Sequence, residues 1–111
     1  MNPNDIPFDL DAMLQGLRPW IECESPTFDA PAVDRMLDLA AADFAALGAR
    51  IDRIPGRLGF GGCIRATLPH PAPGPGILVM GHVDTVHPVG TLRTLPFRRD
   101  AGRVYGPASR T

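Results

Sequence analysis

The chain of 111 residues contains no lysine, only two cysteines and a single tryptophan. No apolar stretch approaches the roughly 20 residues that cross a bilayer. Residues 1–6 lack the basic start and apolar core of a secretory signal, so we expect a cytoplasmic protein with no membrane partner. Cys23 and Cys63 are isolated and show no C-x-x-C spacing, which predicts two reduced, partly buried thiols and neither a disulfide nor a cysteine zinc site.

Charge and composition exclude further classes. All eleven basic residues are arginine, and the formal net charge is −1 with no basic cluster, so we expect no nucleic-acid partner. The apolar share of 44% and the charged share of 21% are ordinary for a globular chain and argue against disorder. At this length the chain is one domain or part of one.

Apolar residues at helical spacing predict two helices at the start of the chain. The first runs from Asp9, a capping residue, to about position 24, and Pro19 is expected to kink or divide it. The second begins after the cap Asp29 and stops at Gly48. Its apolar stripe is expected to face the core: Val33, Met36, Leu37, Ala40, Phe44 and Leu47. Its acidic residues are expected on the solvent side: Asp34, Asp38 and Asp43.

Strand patterns follow the helices. Residues 49–54 read as one strand, and the alternation that follows Gly61 and Gly62 reads as a second. Residues 77–80, Ile-Leu-Val-Met, are apolar on both faces, which is typical of a central strand covered on both sides. Residues 98–100 read as an exposed turn and residues 103–105 as a short final strand. The order predicts a layered α/β domain.

His82 and Asp84 come directly after the apolar run 77–80. Residues two apart on a strand share a face, so one side chain could bind a metal ion while the other orients it. Ligands of open α/β sheets also bind at the carboxyl ends of strands. The alternative is an ordinary loop in which Asp84 caps a turn and His82 satisfies a backbone carbonyl. We expect His70 and His87 to be solvated loop residues, although His87 could join the same pocket.

Several segments together resemble a zinc metallopeptidase family that includes glutamate carboxypeptidase, acetylornithine deacetylase and succinyl-diaminopimelate desuccinylase. The match begins at residues 21–22 and 25–27 and continues through Ala-Thr-Leu-Pro at 66–69. It is most specific over Gly-His-Val-Asp-Thr-Val at 81–86, followed by Gly-Thr at 90–91, Pro-Phe-Arg at 96–98 and Val-Tyr-Gly-Pro at 104–107. The glutamate carboxypeptidase-like members are the most similar. The resemblance implies that residues 1–111 are the amino-terminal portion of a three-layer α/β/α catalytic domain, without the smaller lid or dimerisation domain.

The resemblance also implies a chemistry. His82 corresponds to a zinc ligand, and Asp84 corresponds to the catalytic carboxylate that fixes its imidazole. Members of the family hold two zinc ions bridged by an aspartate and a water, and a glutamate takes a proton from that water. The reaction is hydrolysis of a peptide or N-acyl amide bond, so a small peptide or N-acyl amino acid is the expected substrate.

The chain departs from the family pattern at its end. Thr111 stands where the resemblance places the bridging aspartate, and a neutral hydroxyl cannot hold two dications together. Deleting one G from codons for Gly-Pro-Gly-Val-Ser-Asp-Met-Lys yields Gly-Pro-Ala-Ser-Arg-Thr-stop, which is the observed ending. We therefore expect a frameshifted fragment that is inactive alone and binds zinc weakly at a single site. The downstream DNA, read in the shifted frame, should encode Asp-Met-Lys and then further histidine and glutamate ligands.

A second interpretation belongs to a different class. The chain could be a small, non-catalytic α/β interaction module in which residues 77–80 form an edge that docks the strand of a partner. A third is that a separate chain supplies the missing half of the site.

Overall fold

The structure is a computed structural model and describes residues 2–107. Two helices come first, α1 (Leu10–Glu22) and α2 (Ala30–Ala46), followed by strands β1 (Arg50–Ile54) and β2 (Cys63–Thr67). A second pair of strands, β3 (Arg98–Asp100) and β4 (Arg103–Tyr105), closes the described part. Single 3-10 turns lie at Pro3–Asp5 and Thr91–Arg93. The predicted mixed α/β class is confirmed: two helices precede two antiparallel strand pairs.

Both helices begin where their capping residues predict. The carboxylate of Asp9 accepts from the N–H of Ala12, and that of Asp29 accepts from the N–H of Ala32. Each bond satisfies one of the amide groups that the first turn of a helix leaves without a partner. Helix α2 ends at Ala46, and Gly48, two residues further on, has a φ of +88°, which is a left-handed conformation. There the N–H of Gly48 donates to the Ala45 carbonyl and the N–H of Ala49 to the Phe44 carbonyl, which is a Schellman motif.

The core is small and lies along α2. Its buried apolar side chains are Ile21 of α1 and Ala32, Val33, Met36, Leu37 and Ala40 of α2. The predicted stripe is therefore confirmed over its first three turns. Phe44 and Leu47 do not belong to it, because at the far end of the helix their side chains are 36% and 70% exposed.

Strands β1 and β2 form an antiparallel hairpin, with Arg50 opposite Thr67 and Ile54 opposite Cys63. Helix α2 packs against both strands. The glycine pair before β2 permits this packing, because a Cβ on Gly61 would lie 2.5 Å from the side chain of Val33 and one on Gly62 would lie 2.3 Å from the Ile54 carbonyl. Polar bonds reinforce it: Asp34 accepts from the N–H of Gly62.

The acidic side chains of α2 do more than face solvent. Asp38 pairs with Arg53 of β1 at 2.7 Å, and Asp43 accepts from the indole N–H of Trp20 at 2.6 Å. They connect α2 to the hairpin and to α1.

The prediction of a buried central strand at residues 77–80 is wrong. Residues 75–84 contain no helix, turn, bend or regular strand, and the four side chains of 77–80 are 78–95% exposed. The physical reason is the lack of a partner. Within residues 2–107, β1 pairs with β2 and β3 with β4, and none of these four strands pairs with the run.

Two smaller predictions also need correction. Of the two outcomes expected at Pro19, a kink or a division, the division is wrong: α1 continues to Glu22, because the proline lies in the last turn, where the buried Ile21 still docks on the core and the N–H of Cys23 donates to the Pro19 carbonyl. Residues 98–100 are strand β3 rather than an exposed turn, because β4 supplies a partner for them. No helix in residues 2–107 is long and apolar enough to span a membrane.

Gly16 and Gly48 allow a matched test of the cap that follows helix α2. An added Cβ has open space at both Gly16, inside α1, and Gly48, but only Gly48 has a positive φ. We expect Gly16→Ala to stabilise the fold by roughly 0.5–1 kcal/mol, because alanine loses less backbone entropy in a helix. Gly48→Ala should destabilise it by about 1 kcal/mol, because a side chain is strained in that conformation. Urea unfolding of both variants measures the change in the free energy of unfolding. A change of the same sign in both variants would contradict the assignment of Gly48 as the helix cap.

Candidate functional site

His82 and Asp84 are in contact, as their spacing predicts. The imidazole Nδ1 of His82 lies 3.2 Å from a carboxylate oxygen of Asp84 and 3.0 Å from the backbone carbonyl of the same residue. A carbonyl oxygen can only accept a hydrogen bond, so these contacts require Nδ1 to carry the proton. The neutral ring then presents a free lone pair at Nε2, on a side chain that is 79% exposed.

The contacts of His82 are compatible with both interpretations of this pair, the metal ligand and the ordinary loop residue. His82 faces both the carboxylate, as in a metal centre, and a backbone carbonyl, as in an ordinary loop. Histidines that bind metals donate their other ring N–H to either kind of acceptor. The geometry therefore permits a metal ligand at Nε2 whichever acceptor dominates.

Asp84 is held from its other side by Thr27. The hydroxyl of Thr27 donates to the second carboxylate oxygen at 2.6 Å. This bond, together with the neighbouring imidazole, outweighs partial burial and holds the pKa of Asp84 below its ordinary value. Near neutral pH the carboxylate is charged, and it accepts from both neighbours at once.

A short backbone ladder aligns these residues. The N–H of Thr85 donates to the Ser25 carbonyl at 2.8 Å, and the N–H of Thr27 donates to the Thr85 carbonyl at 3.0 Å, in a parallel bridge that brackets Pro26. The hydroxyl of Ser25, which is only 1% exposed, donates to the Val83 carbonyl at 2.7 Å. The Ser-Pro-Thr segment after α1 thus fixes the backbone on both sides of Asp84.

Glu24 fixes the next loop and was not singled out from the sequence. Its carboxylate accepts from the N–H groups of Gly90 and Leu92, each at 2.8 Å, at the start of the turn Thr91–Arg93. Burial alone would raise the pKa of Glu24, but these amide bonds and the charge of Arg93 lower it. A contact across more than 60 residues leaves no local signal, so only the fold reveals it.

These segments surround a cavity of about 360 Å³. Its walls are mainly apolar and include Trp20, Ile21 and Met36, while His82, Asp84 and His87 line another part of it. His87 therefore belongs to the same pocket, which was left open as an alternative. His70 does not join it: its Nδ1 accepts from the N–H of Ala72 in the exposed loop.

Neither cysteine belongs to a group of potential metal ligands within residues 2–107. Both are free thiols, as predicted, but Cys63 is exposed, whereas partial burial was expected. Cys23 lines the cavity, and desolvation raises the pKa of its thiol, which disfavours the thiolate that binds metals.

The described residues do not form a complete metal site. Zinc in proteins takes three or four protein ligands. Residues 2–107 contain no group of three or more histidine, cysteine, aspartate or glutamate side chains placed to hold a metal ion. His82 offers one ring nitrogen, and Asp84 is already engaged by Thr27. Position 111, expected at the metal bridge, lies outside the described residues.

Comparison with known proteins adds no assignment. No protein-family model matches the chain, and no curated protein matches it either.

Glu24 generates a prediction about acid stability. A carboxyl whose pKa is lower in the folded state stabilises the fold above its unfolded pKa, ordinarily 4.5, and loses that effect as the pH falls through the lower folded pKa. Glu24→Gln removes this titration and replaces one acceptor oxygen with a donor. We expect the variant to be less stable than the parent at pH 7, and the difference to shrink on acidification below pH 4.5. Urea unfolding of both proteins across this range tests it, and a difference independent of pH would contradict it.

Proposed function

We propose that this chain is the amino-terminal part of the catalytic domain of a zinc-dependent hydrolase that cleaves peptide or N-acyl amide bonds. The observation that carries the proposal is the His82–Asp84 contact at 3.2 Å, with Asp84 anchored by Thr27. The resemblance of residues 81–86 and 104–107 to the zinc metallopeptidases supports it.

In this proposal Asp84 acts on His82 and His82 acts on the metal. The charged carboxylate accepts a hydrogen bond from the Nδ1–H group, so the ring is held in one tautomer and one orientation. It also makes Nε2 a stronger donor to a cation. When bound, zinc ions would supply an activated water and polarise the scissile carbonyl.

The remaining machinery belongs to residues other than 2–107. Because the described residues hold no complete zinc site, we expect the isolated chain to bind zinc weakly and to have no hydrolytic activity. The substrate class in the proposal is a small peptide or an N-acyl amino acid. The proposed location is the cytoplasm, with neither nucleic acid nor a membrane as partner.

The activity is tested on the chain extended by the downstream codons in the shifted frame. We expect the extended protein to hydrolyse N-acyl amino acids or dipeptides, and chelation to abolish this activity because zinc is required. His82→Ala should abolish it as well. Asp84→Asn should lower kcat/KM by about 10–100-fold, as loss of a residue that orients a metal ligand usually does. Initial rates with a panel of these substrates provide the measurement.

His70→Ala is the matched control, since His70 lies in an exposed loop away from the cavity. It should leave the rate of the extended protein unchanged. Full activity in His82→Ala, or no zinc-dependent hydrolysis by the extended protein, would reject the proposal.

The interaction-module alternative is favoured by one observation, the exposure of residues 77–80. Ile77 is 95% exposed and Val79 is 86% exposed, so the run is free to pair with another strand. The interaction-module alternative does not explain the His82–Asp84 contact. The alternative predicts that the downstream DNA encodes no hydrolase in any frame.

A further inference from the structure

The hydroxyl of Thr27 contacts the carboxylate that faces His82. This hydroxyl has one proton and two acceptors within reach, a carboxylate oxygen of Asp84 at 2.6 Å and the Thr85 carbonyl at 3.2 Å. The shorter of the two bonds goes to a group that can carry a charge, and hydrogen bonds to charged groups are the stronger ones. The proton of the hydroxyl is therefore directed mainly at Asp84.

Both oxygens of the Asp84 carboxylate have a side-chain neighbour. One accepts from Thr27, and the other lies 3.2 Å from Nδ1 of His82. The terminal torsion of an aspartate has no sharp preferred angle, so its carboxylate keeps one direction only where its oxygens are held. The Asp84 side chain is 33% exposed, so water can compete with the imidazole for the second oxygen. The bond from Thr27 restricts that competition, because it fixes the plane in which the second oxygen lies.

Thr27 is itself well fixed. Its N–H donates to the Thr85 carbonyl at 3.0 Å, and the N–H of Asp29 donates to the Pro26 carbonyl at 2.9 Å on the other side of the residue. A β-branched side chain has few χ1 rotamers, so a fixed backbone sets the direction of its hydroxyl. Thr27 therefore loses little further freedom when it holds Asp84.

The neutral ring of His82 has two acceptors near Nδ1. They are the Asp84 carbonyl at 3.0 Å and the Asp84 carboxylate at 3.2 Å. The carbonyl belongs to the backbone and stays in place if the carboxylate turns away. The His82 side chain is 79% exposed, so water can serve either ring nitrogen and both neutral tautomers are accessible. The balance of the two tautomers therefore reports whether the carboxylate is in place.

We propose that Thr27 is a positioning residue of the site. Its hydroxyl holds Asp84 so that the neutral imidazole of His82 keeps its proton on Nδ1 and leaves Nε2 open to a ligand. The catalytic use of this arrangement rests on the hydrolase proposal. The effect on the imidazole does not, because it requires neither zinc nor substrate.

Nitrogen-15 NMR of the purified chain tests the inference, since the shifts of the ring nitrogens distinguish the two neutral tautomers. The spectra are recorded at a pH that keeps the ring neutral, and His82→Gln identifies the signals. We expect the tautomer with the proton on Nδ1 to dominate in the parent. Thr27→Val keeps the shape of the side chain and removes the donor. It should lower the ratio of the Nδ1–H to the Nε2–H tautomer by about threefold or more, which is the size of effect that one net hydrogen bond produces.

Three further variants separate positioning from a general effect on folding. Thr27→Ser keeps the hydroxyl and should restore most of the parent ratio, whereas Thr27→Ala removes it and should act like Thr27→Val even if valine is poorly accommodated. Thr94→Val is the matched control, because the Thr94 hydroxyl donates to the Thr91 carbonyl and forms no bond with Asp84. It should leave the ratio unchanged.

A double-mutant comparison tests the route of the effect. Asp84→Ala alone should lower the ratio at least as far as Thr27→Val does. In the Asp84→Ala background, Thr27→Val should cause no further change, because Thr27 acts through the carboxylate. A residue that merely stabilised the fold would not depend on Asp84 in this way.

Several results would overturn the inference. An Nε2–H tautomer that dominates in the parent would do so, as would a ratio that neither Thr27→Val nor Thr27→Ala changes. A fall of the same size in the Asp84→Ala background would show that Thr27 does not act through Asp84. Failure of the hydrolase proposal gives a different result: the extended protein would lack zinc-dependent hydrolysis while the tautomer ratio still responded to Thr27.

Discussion

The hydrogen bonds between residues 24–27 and residues 83–92 are the constraint on which the site depends. Glu24 holds the loop at Gly90 and Leu92, Ser25 holds the backbone at residues 83 and 85, and Thr27 holds Asp84. Neither of the two described sheets includes this part of the chain, which holds only the single parallel bridge between Pro26 and Thr85. Residues 24–27, which follow α1, therefore position residues 83–92 in place of a sheet. The burial of Ile21 and Ser25 in turn holds residues 24–27 against the core.

This arrangement has a chemical consequence at His82. Asp84 accepts from Thr27 on one oxygen and faces His82 with the other, so it stays charged and fixed. A charged, fixed acceptor beside Nδ1 selects the tautomer that leaves Nε2 available. The hydroxyl of Thr27 thus affects the state of an imidazole that it does not touch. The same contacts would be of little use to a solvated loop histidine such as His70, which faces only the N–H of Ala72.

The features predicted well from sequence are those set by local chemistry. Asp9, Asp29 and Gly48 mark helix ends through contacts within four residues, and the alternation after Gly62 defines a strand whose partner, β1, is the strand just before it in the chain. The His82–Asp84 contact is also local. The predictions that were wrong or missing concern residues whose structure depends on partners far away in the sequence. The apolar run 77–80 has a strand pattern but no neighbouring strand in residues 2–107, and pattern alone does not supply hydrogen bonds. Glu24 was missed for the converse reason, since its amide partners lie more than 60 residues away.

His82 lies between a segment that is held by distant hydrogen bonds and a segment that is not. On its carboxyl side, residues 83–85 are fixed by Ser25 and Thr27; on its amino side, residues 77–80 form no backbone hydrogen bond with any residue between 2 and 107. The direction of its ring is therefore set from one side alone, by the contact with Asp84. Any strand that pairs with residues 77–80 would also restrain the backbone only two residues before His82, so that this backbone would lose less entropy when the imidazole binds a partner.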